Sequence, residues 1–171
     1  MKRYATMAGL VLVFALLAAP AAAFTMDSLN IAVKENGNAE VTADYTLTWL
    51  ERIGIFMRIA QPEALLTQTL EQYSGKDVTV KSVTPGRTFL SINDFAVVRH
   101  TGEKPTYVTP TLDFSGVEPA IRGYRFSRFI SVDASPGLTV VSFPDGHQQV
   151  FYNVLVIPSI TYTEGSSPGC C

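Results

Sequence analysis

The strongest constraint in this chain is a run of strict alternation. Val41, Ala43, Tyr45, Leu47 and Trp49 fall on one side, and Thr42, Asp44, Thr46 and Thr48 on the other. A period of two puts successive side chains on opposite faces of a strand, so this segment reads as half-buried β-structure. Leu29 to Val33 (LNIAV) alternates in the same way, and Glu35-Asn36-Gly37-Asn38 between the two runs is a hairpin signal. Parity selects the turn. A two-residue Asn-Gly loop sets Val33 opposite Glu40, a buried position against an exposed one. A three-residue loop with Gly37 in the left-handed region pairs odd positions with odd, which one buried face requires.

A second hairpin is expected near the C-terminal end. Leu138 to Phe143 and Gln148 to Ile157 flank Pro144-Asp145-Gly146. Proline sets the first turn position, aspartate bonds its own backbone and glycine takes the left-handed site. A three-residue loop pairs Val140 with Val150 and Leu138 with Tyr152. The other face carries Val141, Phe143, Phe151, Leu155 and Ile157. Two apolar faces predict a hairpin covered on both sides, and therefore central.

Between these hairpins the pattern changes period. Thr48 and Glu51 match the T-x-x-E capping box, and Leu50, Ile53, Phe56, Met57 and Ala60 recur at helical spacing. Pro62 fits the first position of a second helix, with Leu65, Leu66, Thr69, Leu70 and Tyr73 as its apolar stripe and Gly75 as its stop. The competing reading continues the strand through Ile53, Ile55, Met57 and Ile59. From Asp77 onward, Val78 to Val80, Phe89 to Val98 and Tyr107 to Phe114 read as strands, punctuated by Pro85-Gly86 and Thr101-Gly102. Val117 to Ile130 is undecided, because Pro119 could open a helix that Gly123 weakens. The expected fold is a single α+β domain over residues 24–160. It is an antiparallel β-sheet or open sandwich, with a helical insertion at Thr48–Gly75 packed on one face. Residues 161–171 read as a flexible Gly/Ser/Pro tail ending in Cys-Cys.

The first 23 residues read as a secretory signal. Lys2 and Arg3 precede the uncharged apolar run Met7–Ala19, Pro20 breaks it, and Ala21-Ala22-Ala23 supplies small residues for cleavage between Ala23 and Phe24. The alternative is an uncleaved anchor: Met7–Ala23 is 17 residues, at the short end of the range of about 17–25 for a spanning helix. The chain is thus expected outside the cytoplasm, secreted or on the envelope exterior, and membrane-bound only if the signal stays. Processing removes two of the 13 basic residues and none of the 15 acidic ones, leaving net −4. That balance disfavours nucleic acid and anionic membrane surfaces as partners.

No constellation for catalysis emerges. Gly165-Ser166-Ser167-Pro168-Gly169 matches the G-x-S-x-G string, but a nucleophile elbow needs a following helix, and two residues remain. His100 and His147 sit beside turn glycines and read as solvated loop residues, with Asp94 and Asp145 as ordinary turn carboxylates. Zinc and calcium spacings are missing, so neither a metal site nor a cofactor is expected. Arg122, Arg125 and Arg128, interleaved with Tyr124, Phe126 and Phe129, form the candidate ligand or partner contact, since arginine and aromatics dominate interface hot spots. The competing reading buries the aromatics and lets the arginine stems reach water.

Trp49-Leu50-Glu51-Arg52 with Phe56 and Arg58-Ile59, and Phe143-Pro144-Asp145-Gly146 with Phe151, resemble uncharacterised secreted proteins of methanogenic archaea. The resemblance implies no activity and no catalytic residues. It does imply an anoxic habitat, in which thiols persist. The functional expectation is a non-catalytic extracytoplasmic interaction or envelope-associated module whose partner is an unknown protein or envelope component. The alternative is a small-ligand binder or enzyme with its site between the helical insertion and the sheet.

Cys170 and Cys171 are the last two residues and the only cysteines. Adjacent cysteines bond each other only through a strained ring, so the readings are that ring, an intermolecular disulfide giving a homodimer or attachment through the tail, free thiols, modification, or no function at all. Non-reducing gels of the air-exposed protein are expected to show a dimer that reductant abolishes. A Cys170→Ser/Cys171→Ser double variant should run as monomer, and a monomeric wild type would remove the idea.

Overall fold

The computed structural model describes residues 22–46, 64, 67–68, 70–71, 75–100, 104–116, 130–133 and 135–165. Among the described residues twelve strands follow in chain order: β1 (Ala22–Val33), β2 (Ala39–Thr46), β3 (Val78–Thr84), β4 (Arg87–Ile92), β5 (Val97–His100), β6 (Pro105–Val108), β7 (Leu112–Asp113), β8 (Ile130–Asp133), β9 (Leu138–Ser142), β10 (Gln148–Tyr152), β11 (Val156–Ile157) and β12 (Thr161–Thr163). The main sheet runs β10-β9-β1-β2-β4-β3, with β8 also paired to β1; β12-β6-β5 and β11-β7 form two small sheets.

This corrects the α+β expectation. Every described element is a strand. Within Thr48–Gly75, helical backbone is described only at Ala64, Thr67, Gln68, Leu70 and Glu71, isolated positions that make no described helix. Gly75 has φ +62° and donates its amide to the Glu71 carbonyl at 2.9 Å. Trp49 and the rest of that segment lie outside the described residues. The main sheet is also mixed, because β1 pairs in parallel with both β8 and β9.

Both hairpins take the parity expected of three-residue loops. Val33 lies opposite Ala39 and Ile31 opposite Val41. Gly37 has φ +83°, and Lys34 N–H donates to Asn38 O at 2.8 Å. In the second hairpin Val150 pairs with Val140 and Tyr152 with Leu138, around Gly146 at φ +86°. Odd positions therefore gather on one face: Leu29, Ile31 and Val33 of β1, Ala39 and Val41 of β2, and Thr139 and Val141 of β9 are all buried. The apolar members of this set share one core cluster with Val78, Leu90, Phe95, Ala96, Tyr107, Phe143, Ile157, Ile160 and Tyr162, so residues of all three sheets contribute to it. Each fully buried aliphatic side chain here contributes about 1.5–3 kcal/mol.

The alternation fails at Asp27. The β1–β2 register shifts between Met26 and Ser28, leaving Asp27 as the extra residue of a bulge. On the other flank the partner changes at the same place: β8 covers Ala22–Thr25 and β9 covers Ser28–Ala32. Gly137 fills the break, donating to Met26 O at 3.0 Å, and a Cβ there would sit 3.0 Å from the Asp27 carbonyl oxygen.

Two further expectations change. The β9–β10 hairpin is not central, because among the described strands β10 ends the sheet. The segment read as tail instead supplies β12, with Ile160 and Tyr162 buried, so described structure continues to Gly165.

The two turn glycines separate conformational cost from contact cost. At Gly37 an added Cβ would lie 2.4 Å from the Ala96 carbonyl oxygen, whereas at Gly146 it would meet nothing within 4 Å. Gly146→Ala should lose about 1 kcal/mol, the left-handed backbone term alone. Gly37→Ala should lose at least twice as much, about 2–4 kcal/mol, because backbone must also move. Chemical denaturation of the two variants side by side checks the order.

Candidate functional site

The positions singled out in sequence fall mainly outside the described structure. Arg122, Tyr124, Arg125 and Arg128, and Cys170 and Cys171, lie outside the described residues. Ala23 and Phe24, the expected cleavage pair, lie within β1, their backbone in register with Ser131 and Val132 of β8. Most of the G-x-S-x-G string is likewise outside; Gly165, its first residue, donates its amide to Asp145 Oδ2 at 3.2 Å. His100 is exposed at the end of β5. Among the described residues no group of three or more His, Cys, Asp or Glu is placed to hold a metal ion. No helix there is long and apolar enough to cross a membrane.

What the fold does bring together lies at the β9–β10 turn. Asp145 accepts the His147 amide on Oδ1 at 3.0 Å, the local aspartate turn expected of Pro-Asp-Gly. Its Oδ2 accepts the Tyr162 hydroxyl of β12. The His147 imidazole stacks on the Tyr162 ring, centroids 4.3 Å apart and planes within 4°. Phe143 packs against Tyr162 at 4.6 Å and against Tyr107 at 6.0 Å. Tyr107 donates to Glu164 Oε1 at 2.9 Å. His147 is therefore part of a clasp rather than a solvated loop residue. The turn of the main sheet is fastened to a small sheet, and this holds β10 in place.

Electrostatics fit a clasp. The Tyr162 hydroxyl holds the Asp145 carboxyl below its ordinary range, and the same bond raises the Tyr162 phenol. Burial, then the Glu164 hydrogen bond, pushes the Tyr107 phenol up to about 12.

Beyond the clasp, β10 offers an edge. The ladder phase is pinned at both ends: Phe143 N–H donates to His147 O at 2.8 Å, and Asn153 N–H to Gly137 O at 3.2 Å. Alternate pairs in between, Val141–Gln149 and Thr139–Phe151, exchange the hydrogen bonds with β9. The amides and carbonyls of Gln148, Val150 and Tyr152 consequently point away from the sheet, and no described strand pairs with them. The apolar side chains here are exposed as well: Val150 41 %, Tyr152 67 %, Leu155 45 % and Val156 48 %.

Among the described residues, three other strand edges are guarded or short. β3, at the opposite end of the main sheet, carries a register break between Val80 and Ser82 and the cation Lys81, 3.1 Å from Glu40. β5 carries Arg99 and His100, and β12 is three residues long. Bulges, charges and shortness are the usual means of blocking strand addition. β10 (QQVFY) has neither bulge nor charge. A depression of about 750 Å³, open and polar, lies at the β1–β2 turn among Lys34, Glu35, Asn36, Asn38 and Glu40. Two of those side chains, Lys34 and Glu40, are already paired at 2.8 Å.

Comparisons with models of known families, with curated proteins and with solved structures gave no match.

Tyr107 makes a readable pH probe. In the unfolded chain its phenol ionises near 10, in the fold only near 12. Its contribution is complete below pH 10 and is lost as pH rises from there toward 12. Denaturant midpoints measured from pH 8 to 12 should fall less steeply for Tyr107→Phe than for wild type. At pH 8 the variant should sit about 1 kcal/mol lower, for the lost bond to Glu164.

Proposed function

We propose that this chain is a non-catalytic interaction module working outside the cytoplasm, engaging a protein component of the envelope or exterior by strand addition at β10. The leader Met1–Ala23 supports the compartment. The observation that carries the mode of binding is the outward-facing backbone of Gln148, Val150 and Tyr152, flanked by exposed apolar side chains and left unguarded. Backbone pairing gives such sites their affinity, and alternate side chains give them selectivity. The occupant is therefore an extended polypeptide segment, uncharged where it faces β10 and apolar where it covers Val150 and Tyr152. The clasp of Asp145, His147 and Tyr162 serves this by holding the edge before binding, which lowers the ordering cost.

The test uses the edge geometry directly. The Val150 amide points outward, so Val150→Pro removes a docking donor without removing a bond to β9. Val150→Lys adds the charge that guards natural edges and should shift stability by no more than about 0.5 kcal/mol. Captured against solubilised envelope proteins from the producing cells, both variants should lose partners that wild type and Val97→Lys retain. Equal capture by wild type and the two Val150 variants would remove β10 from the function.

A further inference from the structure

We infer that the segment which adds to β10 is β10 of a second copy, paired antiparallel about a two-fold axis midway between the two Val150 residues. The inference rests on the edge reading above and names its occupant. The outward residues are Gln148, Val150 and Tyr152, evenly spaced about Val150. An antiparallel copy centred there sets Val150 against Val150 and Gln148 against Tyr152, and each outward amide meets an outward carbonyl. Three such pairs exchange about six backbone hydrogen bonds, with no outward group left over.

Charge and side-chain chemistry agree with this register. Self-pairing brings each charged residue near its own copy, which is why charges guard edges; Gln148–Tyr152 contains none. Opposed residues in an antiparallel pair share a face, so the two Val150 side chains meet and each Tyr152 lies beside the partner's Gln148. Val150 and Tyr152 are two of the six exposed large apolar side chains described, at 41 % and 67 %. A two-fold interface must be self-complementary, and this strand satisfies that condition with its backbone and its neutral side chains together. The pairing is modest in area beside a standard interface of about 1,200–2,000 Å². The dimer is accordingly concentration-dependent.

The experiment separates this inference from the edge reading and from the cysteine tail. The whole chain carrying Cys170→Ser and Cys171→Ser is followed by light scattering across a hundredfold range of concentration. Its mass should rise toward twice the monomer value, and Val150→Lys should stay monomeric throughout. In the same background Val150→Cys should oxidise to a cross-linked dimer at least tenfold faster than Val97→Cys, an exposed control on β5. A constant monomer mass, or equal cross-linking of the two cysteine variants, overturns the second copy. If envelope capture still depends on Val150 in that event, the edge reading survives with a foreign strand; if capture is also independent of Val150, both readings fall.

Discussion

The structure hangs on β1 being paired along both sides while only one of its faces is greasy. Leu29, Ile31 and Val33 project into the core, and every neighbouring strand must match their parity to add to it. A slip of one residue would present polar side chains to the core. The two three-residue turns are the devices that prevent the slip, each using a glycine at positive φ to close a hairpin odd with odd. Register and core composition follow from that matching.

The same matching explains which parts were legible in the sequence. Hairpin register could be read because it depends on local chemistry: Glu35-Asn36-Gly37 and Pro144-Asp145-Gly146 dictate loop length, and the flanking alternation dictates phase. The bulge at Asp27 was not legible, since it depends on Gly137 pressing against β1 from far along the chain. Position within a sheet was not legible either. Val140, Val150 and Tyr152 read as a covered face because they are apolar, and alternation cannot distinguish a face another sheet covers from one left open. The helical expectation rested on a capping box and a spacing that fit a strand nearly as well, through Ile53, Ile55, Met57 and Ile59.

The clasp illustrates a different limit. Asp145 was visible as a turn residue and His147 as its neighbour, but Tyr162 lies in a segment whose Gly, Ser and Pro content suggested a loose end. Its burial comes from the partner strand β6, where Tyr162 stands opposite Tyr107. Composition registers the Gly, Ser and Pro that follow in the sequence and misses the three residues that pair. No sequence pattern links an aspartate in one turn to a tyrosine about 17 residues later.

The parallel pairing of β1 with β9 also has a kinetic consequence. Ser28 meets Leu138, a residue about 110 positions downstream, and closing so large a loop is the slow part of folding. β2 can zip onto β1 early, but the other side of β1 stays bare until almost all of the polypeptide is present. The finished sheet is therefore the last thing the chain acquires, after β9 has reached the far side of β1.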